Sequence, residues 1–65
     1  MKVGDLVTLS KYGAGILALK HCIDQVGVII SIERDKIRDR LVYLVLFVGT
    51  DKSEMLYRKE IKHAK

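Results

Sequence analysis

The chain has 65 residues, 49% hydrophobic and 31% charged, with a net charge of +4, five Gly, no Pro and one Cys. So short a chain makes one domain with a small core, which excludes a dinucleotide fold, a separate substrate domain and a multi-part active site. The apolar share argues against disorder, and the lone Cys22 excludes a disulfide scaffold within the chain.

In chain order, Lys2 to Ser10 reads as a first strand, with Val3, Val7 and Leu9 at one parity around a Gly4-Asp5 turn. Residues 11–24 form a long connection. It contains Gly13-Ala14-Gly15 and then Ile16, Leu19 and Ile23, spaced for a turn or two of helix. Val26, Val28, Ile30 and Ile32 alternate with Gly27, Ile29 and Ser31, a β-branched row at period two and the pattern of a half-buried strand.

Glu33 to Arg40 carries four basic residues against three acidic ones and predicts an exposed hairpin end. Leu41 to Val48 is apolar on both faces. Its eight-residue length, its Val, Tyr and Phe content and the closing Gly49-Thr50-Asp51 predict a third strand. The run is far short of the ~20 residues a membrane-spanning helix needs. A helix over Glu33 to Phe47, suggested by Ile37 and Leu41 four apart, is the competing assignment, and Val42, Val45 and Val48 are poor choices for it. Gly49 to Lys52 reads as a tight turn and Met55-Leu56-Tyr57 as a short fourth strand. Arg58-Lys59-Glu60 fits a single 3₁₀ turn, and Ile61 to Ala64 reads as a fifth strand.

This order predicts an all-β domain over residues 1–65, a five-stranded small barrel whose long first loop holds a helical turn. Val3-Gly4-Asp5-Leu6-Val7 resembles the opening V-G-D-x-V of KOW-like and related SH3-like barrels. Gln25-Val26-Gly27-Val28-Ile29 resembles the start of their second strand, Tyr43 to Phe47 with Gly49 their third, and Leu56 to Ile61 their closing element. As a set, these motifs are similar to small SH3-like β-barrel proteins of tailed phages, marine and cyanobacterial ones in particular. The resemblance implies a non-enzymatic binding or adaptor module in the cytoplasm of a host cell. The Asp/Asn loop and Arg-Gly pair of Sm-like barrels are absent, so an Sm-type RNA pocket is not expected.

No catalytic, cofactor-binding or metal site is expected. His21-Cys22 has no second ligand cluster near it in sequence, His63 is remote, and structural zinc needs four ligands. The acidic pairs Asp35/Asp39 and Asp51/Glu54 each sit among Lys or Arg in polar turns. Gly13-Ala14-Gly15 lacks the spacing of a phosphate loop. With no apolar leader segment after Met1 and one unpaired thiol, the expectation is a whole natural product in a reducing, cytoplasmic compartment, with no membrane or small-molecule substrate as partner.

Charge is the feature that points to a partner. Residues 58–65 hold Arg58, Lys59, Lys62 and Lys65 against Glu60 alone. A hairpin end placed nearby would add Lys36, Arg38 and Arg40, giving a track for RNA or single-stranded DNA phosphates, with Tyr12 and Tyr57 as stacking platforms. The alternative class of function is a protein-interaction or assembly subunit. Leu41 to Val48 has two apolar faces and a barrel has one interior, so Val42, Leu44 and Leu46 are candidates for an interface with a second copy or with a larger phage or host protein.

Overall fold

The computed structural model of the chain describes residues 1–16, 25–50 and 52–64. Five strands build one antiparallel sheet: β1 (Leu6–Leu9), β2 (Gly27–Asp35), β3 (Arg40–Phe47), β4 (Lys52–Tyr57) and β5 (Ile61–His63), ordered β4-β3-β2-β1-β5. The ladder ends at β4 on one side and β5 on the other, so the sheet is open rather than closed into a cylinder. A one-turn helix, α1 (Lys11–Ala14), follows β1, and a 3₁₀ turn at Arg58–Glu60 joins β4 to β5.

The chain enters the sheet through the Gly4-Asp5 turn. The Asp5 carboxylate accepts from the Lys2 backbone N–H at 3.0 Å, and Gly4 N–H donates to the Ile29 carbonyl at 2.8 Å. β1 therefore starts at Leu6, later than the alternation suggested, and Val3 is exposed outside it. The charged segment is divided between elements. Glu33 to Asp35 end β2, Arg40 begins β3, and only residues 36–39 form the turn. Asp35 Oδ1 accepts from the backbone N–H groups of Ile37 (3.0 Å) and Arg38 (3.3 Å). Asp39 takes a left-handed φ of 52° while its carboxylate pairs with Arg34 at 2.7 Å. Short acidic side chains suit such a turn because they bond to backbone two or three residues on and tolerate this conformation. The helix over Glu33 to Phe47 is overturned by the hairpin register, which sets Arg34 opposite Leu41 and Glu33 opposite Val42.

The core is Val7, Leu9, Ile29, Tyr43, Val45, Phe47, Leu56 and Ile61, with Met1, Ile16 and Ile32 packed against it. Each fully buried large side chain stabilises the fold by about 1.5–3 kcal/mol. Of the two faces of β3, Tyr43, Val45 and Phe47 point inward, and Val42, Leu44 and Leu46 lie half-buried on the outside. In β2 the β-branched row is the outer one. Gly27 and Ile29 are buried, and Val26 and Ile30 are 42% and 43% exposed. The ladder then shifts by one residue between Ile29 and Ser31, and this bulge returns Ile32 to the core side. β4 is longer than its apolar residues indicate, since Lys52, Ser53 and Glu54 pair with Phe47, Leu46 and Val45. Ile16, one of the three residues spaced for a helical turn, packs on the core. Leu19 and Ile23 lie outside the described residues, as do His21, Cys22, Asp51 and Lys65. Among the described residues, no helix is long and apolar enough to cross a membrane.

Candidate functional site

The register of β3 and β4 sets Val42 opposite Tyr57, which brings the start of β3 beside the end of β4 and the 3₁₀ turn that follows. The three segments enclose a groove of about 280 Å³ lined by Arg40, Leu41, Tyr57, Arg58 and Lys59. Arg40, Arg58 and Lys59 are cationic, and among the described residues no acid lines the groove.

Tyr57 organises the site. The Arg40 guanidinium stands over its ring, 4.8 Å from the centroid, and Arg38 Nη1 donates to its hydroxyl at 2.7 Å. The hydrogen bond to Tyr57, then the negative charge of its phenolate at the high pH where a guanidinium titrates, and then Asp35, raise the Arg38 pKa above its ordinary value. Glu60 Oε1 accepts from the Tyr57 backbone N–H at 2.7 Å, so this acid caps the 3₁₀ turn. Arg58 Nη1 donates to the Ile61 carbonyl at 3.0 Å. Asp35 stands opposite Arg40 in the β2–β3 ladder, with one carboxylate oxygen engaged by the turn backbone.

Lys59 is held from the other side. Its Nζ lies over the Tyr12 ring at 4.6 Å from the centroid. Tyr12 reaches it because α1 docks on the 3₁₀ turn. Ser10 N–H donates to the Glu60 carbonyl at 2.8 Å, its hydroxyl donates to the Lys59 carbonyl, and Gly13 N–H donates to Ser10 Oγ at 3.1 Å. Gly13 makes this contact sterically feasible, since a Cβ there would lie 2.1 Å from the Glu60 carbonyl oxygen.

Of the residues expected to contact nucleic acid, Arg40, Tyr57, Arg58 and Lys59 line the groove, Arg38 reaches it through the Tyr57 hydroxyl and Tyr12 through Lys59, and both tyrosine rings carry a cation on a face. Lys36 is exposed in the 36–39 turn, and Lys62 is exposed on β5 opposite Thr8; neither lines the groove. The apolar wall provided by Leu41 was not legible from charge. Nor were the positioning roles of Ser10 and Gly13, for which the only sequence signal is the Gly13-Ala14-Gly15 run.

A second feature lies on the outer face of the sheet. Ser31, Glu33, Val42, Leu44 and Met55 line a shallow hollow of about 70 Å³, and Met55 is 71% exposed. Leu46 continues this face toward Val28 and Ser53, its partners on β2 and β4. Among the described residues, no group of three or more His, Cys, Asp or Glu is placed to hold a metal ion. No protein-family model, curated protein or solved structure matches the chain.

Proposed function

We propose that the chain has an SH3-like, KOW-like fold, with its five-stranded sheet left open between β4 and β5, and acts as a non-enzymatic binding module. It holds an RNA or single-stranded DNA backbone in the basic groove, weakly and with little sequence preference. The strand order β4-β3-β2-β1-β5 and the 3₁₀ turn before the last strand support the fold assignment. The kinship with small phage barrels, and with it a host cytoplasmic setting, belongs to the same proposal.

The convergence of Arg38, Arg40, Arg58 and Lys59 around Tyr57 carries the functional reading. Phosphate neutralisation releases condensed counterions, and a groove lined by three cations, with no acid among its described lining residues, favours that exchange. Fluorescence anisotropy with short labelled RNA and DNA strands tests it. Arg40→Glu combined with Lys59→Glu is expected to weaken binding at least about tenfold at low salt. Unchanged affinity in the double variant would remove the groove as the site.

The exposed Met55 beside half-buried Leu44 and Val42 favours a second reading, an assembly or protein-interaction subunit that uses the outer face. Light scattering separates the two. A stable oligomer that Leu44→Asp disperses, with no nucleic-acid binding, would favour the assembly reading.

A further inference from the structure

Resting on the groove as a phosphate-backbone site, we propose that Tyr57 and Tyr12 are posts that hold cations in position. The groove then takes consecutive phosphodiesters of a single strand and leaves the bases unstacked. The observation is the occupancy of the two rings. Arg40 lies over Tyr57 at 4.8 Å and Lys59 over Tyr12 at 4.6 Å, so a base approaching either of these faces has to displace a cation from an attractive quadrupole.

The cations remain competent for phosphate. A guanidinium has five N–H donors, and Arg38 commits Nη1 to the Tyr57 hydroxyl, with further donors left over. Holding these long side chains before binding reduces the rotamer freedom lost when a phosphate arrives, which is the general advantage of a preorganised site. Tyr57 is half-buried and its backbone N–H is tied to Glu60, so the post itself is fixed. Leu41 completes the lining with an apolar wall against which a sugar ring can rest. The ligand class that follows is a flexible polyanion with regularly spaced monoanionic phosphates, recognised without reference to base identity.

The test is anisotropy at low salt with two labelled strands of equal length, oligothymidylate and its fully abasic tetrahydrofuran counterpart. The two are expected to bind within about twofold of each other, because both present the same phosphates. Tyr57→Phe keeps the ring under Arg40 and removes the hydroxyl that Arg38 uses, and it should weaken both strands by the same few-fold factor. Tyr57→Leu should weaken both further and again equally. If the abasic strand binds weaker by about 5- to 150-fold per stacked base, the tyrosines are stacking platforms and the inference is overturned while the groove stands. If neither strand binds, the groove reading fails and the inference fails with it.

Discussion

Replacing Gly13 by Ala tests how the site is positioned, because two physical effects act with opposite sign. Helix propensity alone makes Ala the better residue in a helix interior by about 0.8–1.0 kcal/mol. In this fold a Cβ at residue 13 would lie 2.1 Å from the Glu60 carbonyl oxygen and 3.0 Å from its carbon, both backbone atoms that cannot rotate away. Overpacking of this kind costs about 1–3 kcal/mol. Moving α1 off the 3₁₀ turn to relieve it breaks the two Ser10 hydrogen bonds to Lys59 and Glu60, each worth about 1 kcal/mol. The net expectation is a loss of about 2 kcal/mol, from a domain of this size whose total stability is about 3–10 kcal/mol. Thermal unfolding followed by circular dichroism should show the midpoint falling by about 8–16 °C. Gly15→Ala is the internal control. Its φ is −82° and its added Cβ would meet only ordinary contacts at 3.4 and 3.9 Å, so the midpoint should hold or rise slightly. A Gly13→Ala protein as stable as the parent would refute the close docking of α1 and, with it, the account of how Tyr12 reaches Lys59.

Gly27→Val should destabilise by about 3 kcal/mol or more in a denaturant titration, because the new Cβ would fall 2.5 Å from Val45 Cγ1 and 3.1 Å from Phe47 Cδ1. Phe47→Ala should cost about 3–5 kcal/mol, the usual loss for a fully buried ring, read as a fall in the denaturant midpoint. Arg40→Glu should weaken nucleic-acid binding about tenfold while Lys62→Glu, on β5 and outside the groove lining, changes it less than about threefold. Equal losses in the two variants would point to diffuse net charge rather than a site.

The strand content was legible because β2 carries a β-branched row at period two and β3 an apolar run rich in Val, Tyr and Phe, and because residues 58–60 offer nothing to extend a strand. The inward face of β2 was not. Gly27 contributes no hydrophobicity to any periodic count, yet it is buried because the Val45 and Phe47 side chains occupy the space its own would take. A one-residue bulge after Ile29 then reverses the parity, and no alternation rule marks where a ladder slips. The candidate site divides in the same way. Tyr57, Arg58 and Lys59 are adjacent in sequence, so their cluster could be read directly. That Arg38 and Arg40 join it depends on a four-residue turn, residues 36–39, and on the Val42–Tyr57 register, both of which are long-range outcomes. The cations seated on the tyrosine rings are a side-chain arrangement with no sequence signature.

The most direct test of the account is the affinity of the parent protein for a short single strand measured across a range of salt concentrations. Each phosphate neutralised on a single strand contributes about −0.7 to the slope of log affinity against log salt. Engagement of Arg38, Arg40, Arg58 and Lys59 therefore predicts a slope of about −2 to −3. A slope near zero, or no binding at the lowest salt, where electrostatic contacts are strongest, would contradict it.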